Sequence, residues 1–498
     1  MSSDVPDREG VRFRPVDGRV STTATAKHIL ATAHDAVDPD LAAAIRCEED
    51  WRHRYPAYLC RVTALAARDA AAGLTAARVG LEAAAGSFSF TDASGTRDLA
   101  EAVRDGGATA PAMRTHEGGG ARAERLEVPY GREVLHGDAL KRRLDAWESR
   151  GAVEPAFAEA VRRVVDSPSL LDLRDATVAL LGAGAELSPA APLLRWGATV
   201  AAVDLPRPRI WQRLRAFAAA GAGRLLHPVR PGGDEGLDLL VEAPAARAWL
   251  GSLDGPLVLG NYGYADGERF VRVSMAIDAI TAALLDERSD TSLAHLATPT
   301  DVYAVGAHCV SAATGRRRGV AGRLTGLACL ATRGRAFVPS YRQLVETAAG
   351  PVGIVDSLIL QQGPNYALAK RLQRWRAAVA RADGHVSSVH VAPPTRTVSV
   401  VRNPALAAAY DGAGLFGVTV FPPATTLALM SAVLVHDLRD PSSAAHPGTG
   451  PDSVEHLLFA EAAHGGIWHA GWEPRTAFGL AAALGAPRAL ARRALPKR

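Results

Sequence analysis

TVALLGAGAELSPAAPLLRWGATVAAVDLP, residues 177–206, sets an apolar run, a glycine turn, a helical stretch, a second apolar run and an acid in that order. The run TVALL reads as a buried strand that delivers Gly182, Ala183 and Gly184 to a turn, where missing side chains let backbone approach a ligand. SPAAPLLRWG reads as the following helix, whose N-terminal amides are suited to an anion. Asp204 ends the second strand, ATVAAVD, 22 residues after Gly182. A carboxylate there accepts hydrogen bonds from both ribose hydroxyls and repels a 2′-phosphate, which favours NAD over NADP. Arg207 and Arg209, close behind, would pull the other way. Glu186, in the turn, opposes a pyrophosphate unless it caps backbone amides. The same order of elements suits a methyltransferase that holds S-adenosylmethionine, which has no phosphate to repel.

Outward from this unit, LDLLVEAP, PLVLGNYG, VGIVDSLIL and VSSVHVAPP add strand candidates between helical stretches, the pattern of an α/β protein built on a doubly wound parallel sheet, Rossmann-like, with helical N- and C-terminal extensions. The expected organisation is a disordered arm over 1–20, then a mainly helical region over 21–165 with a flexible glycine-rich loop near 104–125. A nucleotide-binding domain over 166–440 and a linker with a helical tail over 441–498 complete it.

Bulk properties exclude several classes. With 56 Lys+Arg against 52 Asp+Glu the charge is near balance and scattered, so nucleic acid is not implied. The longest apolar run, Leu415 to Val435, is divided by Pro422 and Pro423, so no membrane segment is expected. Four cysteines without a CxxC spacing, and an N-terminus unlike a signal peptide, fit a reducing cytoplasm. A metal site at His456, His464 and His469 in EHLLFAEAAHGGIWHAGW would need tighter spacing and an acidic or cysteine partner, so no metal is assigned, and a capped helix ending at Gly465-Gly466 is expected.

The second candidate site is PNYALAKRLQRW, residues 364–375, which holds one of only four lysines in the chain. Tyr366 and Lys370 are four apart on a helical stretch and share a face. An ammonium near a phenol lowers the phenol's pKa from about 10, which makes an acid/base catalyst; an ordinary i, i+4 surface pair is the alternative.

Taken together, these motifs resemble the short-chain dehydrogenase/reductase superfamily from Thr177 to about Asp437. GAGAELS stands at the family's glycine turn, with Ser188 among its residues, and RWGATVAAVD at the second strand. LDLLVEAP is similar to the strand that carries an Asn-Asn-Ala-Gly element, with Ala243 kept. YALAK matches the active-site helix, and VSSVHVAPPTRT the next strand and its turn, with Thr397 as the turn threonine. The resemblance implies an NAD(P)-dependent oxidoreductase acting on a carbonyl or hydroxyl of a small molecule, with a homo-oligomer as an option. Tyr366 would give or take the substrate proton, and Lys370 would assist it and bind the nicotinamide ribose. Ser357 would polarise the carbonyl, with Thr298 and Thr300 as a second candidate region. A methyltransferase and a catalytically silent nucleotide-binding protein remain the other readings.

Overall fold

The structure, a computed structural model, describes residues 9–105, 107–348, 350–450 and 453–494 of the 498. Its centre is a seven-stranded sheet: β1 (Ala112–Glu117), β2 (Thr177–Leu181), β3 (Thr199–Val203), β4 (Arg224–Val229), β5 (Leu257–Asn261), β6 (Thr291–Ala297) and β7 (Ser387–Val391). The spatial order is β7-β6-β5-β2-β3-β4-β1. Every neighbouring pair is parallel except β4 with β1. Alternate residues of the inner strands enter two different cores. Ala179, Leu181, Ala201 and Leu259 face one, with helices Glu268–Glu287 and Pro364–Ala382. Val178, Leu180, Val200 and Val258 face the other, with helices Pro155–Asp166, Pro208–Ala220 and Pro423–Arg439. Burial on both sides is why these strands read as continuous apolar runs.

The N-terminal helices Thr22–His34, Trp51–Arg68 and Ala70–Gly86 share the first core with the sheet. At the contact with Pro364–Ala382, a Cβ on Gly80 would fall 2.3 Å from the Trp375 ring, so the helix seats itself on the indole only because that position is glycine.

Several local expectations are corrected. Residues 1–8 lie outside the described residues, but Gly10–Phe13 forms a strand paired with Phe88–Asp92, so the arm expected over 1–20 is not wholly irregular. The loop expected near 104–125 contains β1, the sheet's antiparallel edge. Its glycines serve close backbone approach: Gly118 and Gly120 donate to Gly223 O and Gly221 O, each at 2.8 Å, and a Cβ on Gly120 would stand 2.1 Å from Ala220 O. LDLLVEAP is not a strand. Asp238 Oδ1 accepts from Leu240 N at 3.0 Å and closes a turn, after which helix Ala243–Gly251 begins with proline in its first turn, a favoured place for it. VGIVDSLIL supplies Gly350–Asp356, the central strand of a separate antiparallel sheet between Val302–Gly306 and Tyr341–Thr347. The expected linker after Asp440 is held in place, since Arg381 Nε donates to Ala444 O at 3.0 Å and Ser387 N to Ala445 O at 3.0 Å. Among the described residues no helix is long and apolar enough to cross a membrane.

Candidate functional site

Six parallel strands direct their carboxyl ends to one edge, and most of the residues singled out in the sequence lie along it. After β2 the chain turns at Gly182, whose φ of +89° lies in the left-handed region that suits glycine. The turn is drawn onto β3 by Gly182 N and Ala183 N, which donate to Val203 O at 2.9 and 3.2 Å. A Cβ on Gly182 would stand 2.7 Å from Gly263 N; the turn therefore lies flush against the Tyr262-Gly263 backbone that follows β5.

Asp204, at the end of β3, closes on the turn. Its Oδ2 accepts from Gly184 N and its Oδ1 from Leu205 N, both at 2.7 Å. Burial pushes its pKa up, while these two amides and then Arg213 and Arg207 work against the rise. Arg213 also donates to Gly184 O. The helix that follows, Ala190–Arg195, has only six residues. Ser188 is buried just before it, and its Oγ has no partner. Glu186 turns away from the glycines: its Oε2 accepts from Val398 N at 2.7 Å. This bond brings the β2 turn together with Thr397, whose hydroxyl lies 2.9 Å from Ser399 Oγ.

Ala243 does not join this group as a strand residue. It is fully buried at the head of its helix. The strand beside β2 is β5, which ends at Asn261 and leads into Tyr262-Gly263. Asn261 carries a buried Oδ1 without a partner. The sequence reading missed this residue because it placed the neighbouring strand one apolar run too early.

The second cluster stands at the end of β6. Tyr366 and Lys370 lie on helix Pro364–Ala382 as expected, but the ammonium is directed to the sheet: Lys370 Nζ donates to Leu296 O and to Gln373 Oε1, each at 3.1 Å. Burial lowers the Lys370 pKa to about 8, with Asp301 opposing the shift. The Tyr366 phenol is pushed well above its ordinary value, by burial first and then by the negative charge of Asp301, while a hydrogen bond with Gln362 opposes the rise. The expected lowering by Lys370 is therefore not the dominant influence on this phenol. Gln362 Nε2 also donates to Thr300 Oγ1 at 2.7 Å, and Thr300 Oγ1 lies 2.9 Å from Thr298 Oγ1. Ser357 is fully buried and its Oγ has no partner, but its N–H reaches Asp301 O at 3.0 Å. Of the two hydroxyl regions considered, the threonines connect to Tyr366 through Gln362. Thr300 also borders an apolar pocket formed with Pro394, Tyr410, Phe416, Trp472 and Phe478.

The two clusters are linked by the segment after β5. Tyr262 abuts Gly182, Tyr264 lies 5.1 Å from Phe270 between ring centroids, and Phe270 lies 5.5 Å from Tyr366. One edge thus combines a glycine turn, a half-buried acid, a phenol, a lysine, hydroxyls and an apolar pocket. No family model matches the chain, and no curated protein was found that resembles it.

Proposed function

We propose that the chain is a Rossmann-like, NAD(P)-dependent oxidoreductase acting on a carbonyl or hydroxyl of a small, largely apolar molecule. The observation that carries the reading is the order of the parallel strands. Numbered along the chain from β2, they run 3-2-1-4-5-6, the order of dinucleotide-binding sheets, and Gly182 stands at the point where the order reverses. Ligands of such sheets bind in the crevice outside the carboxyl ends at that point. Asp204, after β3, would accept from the adenosine ribose hydroxyls, and the unpartnered Asn261 Oδ1, at the end of β5 on the other side of β2, would offer a further acceptor.

When bound, the nicotinamide would supply or accept the hydride. In the reductive direction Tyr366 would give a proton to the carbonyl oxygen. A raised pKa keeps the phenol protonated at neutral pH, the form that a donor requires. Thr300 and Gln362 would hold the carbonyl oxygen, and the apolar pocket would take the substrate's hydrocarbon part. Lys370 would act on the ribose after exchanging its bond to Leu296 O.

A second reading, an S-adenosylmethionine-dependent methyltransferase, is favoured by the six-residue helix after the turn. So short a helix suits a nucleoside ligand without phosphate better than a pyrophosphate. Thermal denaturation with NADH, NADPH and S-adenosylmethionine separates the readings, because a ligand of the native state raises Tm. A rise with either dinucleotide supports the first and a rise with S-adenosylmethionine alone the second. No rise with any of them leaves a nucleotide-free role.

A further inference from the structure

Glu154, His308, Cys309, His464 and His469 come from three distant parts of the chain. Glu154 directly precedes helix Pro155–Asp166, His308 and Cys309 open helix Ala307–Arg318, and His464 precedes and His469 ends the single turn Ile467–His469. Ligand atoms of Glu154, His308, Cys309 and His469 all lie within 4.8 Å of one another. His308 Nε2 is 3.4 Å from Glu154 Oε1 and 3.5 Å from Cys309 Sγ, and Cys309 Sγ is 3.7 Å from the same Glu154 Oε1. Bonds of about 2.0–2.3 Å to nitrogen, oxygen and sulfur in a tetrahedron give ligand-to-ligand edges of roughly 3.3–3.8 Å. Three of the edges are thus already near the values for a bound zinc.

Two further observations point to a ligand. His469 is 9% exposed, and its Nε2 has no partner, an expensive arrangement for a buried polar atom. Its imidazole occupies space left by Gly151, where a Cβ would fall 2.1 Å from the ring. His464 takes the supporting role. Its Nδ1 accepts from Gly466 N at 3.2 Å, which leaves Nε2–H to donate to Glu154 Oε1 at 2.9 Å. The ring is stacked on Trp468 with centroids 4.5 Å apart. A carboxylate ligand oriented by a fixed imidazole is the outer-shell arrangement that tunes metal sites.

We propose that Glu154, His308, Cys309 and His469 bind one zinc ion in a closed, structural site that clasps the segment 464–472 to the body of the protein. Thiolate, imidazole and carboxylate together suit zinc, and four protein ligands leave no open position for substrate. On binding, a zinc–sulfur bond forms and the Cys309 thiol proton passes to solvent; no oxidant is needed. The clasped segment carries Trp472 and Ala470 of the apolar pocket, so the ion would stiffen one wall of it.

The test uses the full chain produced with zinc and passed through gel filtration. Elemental analysis should find one zinc per chain, and a chelator should lower Tm. Cobalt in its place should give the near-ultraviolet absorption of a thiolate-to-metal transition, absent in Cys309→Ser and kept in Cys329→Ser. His308→Ala keeps the test decisive if the buried variants fail to fold, because that side chain is 55% exposed; zinc affinity should fall at least tenfold. A chain that takes up neither zinc nor cobalt, a cobalt band that survives Cys309→Ser, or full zinc affinity in His308→Ala would each overturn the site. One equivalent of a different first-row metal would overturn the choice of zinc.

Discussion

Asp204 has two demands on one carboxylate, since its oxygens already accept from the Gly184 and Leu205 amides before any ribose arrives. If it takes the ribose hydroxyls, Asp204→Asn removes a charged acceptor whose bonds contribute about 1.5–3 kcal/mol. NAD affinity measured by calorimetry should fall about tenfold or more, and NADP affinity less, because the charge that repels a 2′-phosphate is gone. Unchanged affinity for both would remove Asp204 from the site. For the proton-transfer pair, Tyr366→Phe should abolish turnover with dinucleotide binding retained. Lys370→Arg should be strongly impaired as well, because a planar guanidinium does not reproduce the compact donor that now meets Leu296 O and Gln373. A Tyr366→Phe enzyme with wild-type turnover would end this role for the phenol.

At the scale of elements, what was legible in the sequence was what is encoded locally. β2, the glycine turn, β3 and Asp204 follow from consecutive residues and one apolar pattern, and β5, β7 and the helix that carries Tyr366 were read in the same way. Pairing partners were not legible. VGIVD has the composition of a buried parallel strand, yet the turn at Gly350, with φ +106°, folds it back on Tyr341–Thr347 as a hairpin. In LDLLVEAP the apolar run is genuine, but the Asp238 side chain closes a turn within it, a choice that apolar periodicity does not record. The glycines at 118 and 120 looked like flexibility and are instead contact points between backbones. Gly120→Ala would force its Cβ against Ala220 O. The expected cost is about 1–3 kcal/mol, read as a lower urea midpoint, with faster amide exchange confined to β1 and β4. Exchange that is uniform across the sheet, or unchanged, would contradict this account of the edge.

Across the whole molecule, the long-range side-chain groupings lay beyond local reading. The acids in the stretch of His464 and His469, Glu455 and Glu461, face Arg371 and His390, and the fold instead supplies Glu154 and Cys309 from more than 150 residues away. The same holds for His390 on β7, which meets Asp437 of helix Pro423–Arg439 at 2.5 Å in full burial, with Glu461 at 3.6 Å. Ser443 donates to the other oxygen of Asp437 at 2.7 Å, and His436 lies 3.4 Å from it. Burial alone would lower the His390 pKa, but the Asp437 charge overrides it and raises the value to about 9. Because the folded value exceeds the unfolded one of about 6.5, the protonated imidazole stabilises the fold fully below pH 6.5. That contribution, on the order of 3 kcal/mol, is lost as pH rises through about 9. Lys370 acts in the opposite sense, since its value is lowered to about 8: its burial penalty is relieved as pH rises from there toward 10.5. The two effects overlap between pH 8 and 9, so the measurement must be a difference. Denaturant midpoints of the wild type should fall relative to those of His390→Gln between pH 6.5 and 9. A constant gap between the two proteins over that range would show that His390 is not held protonated by Asp437.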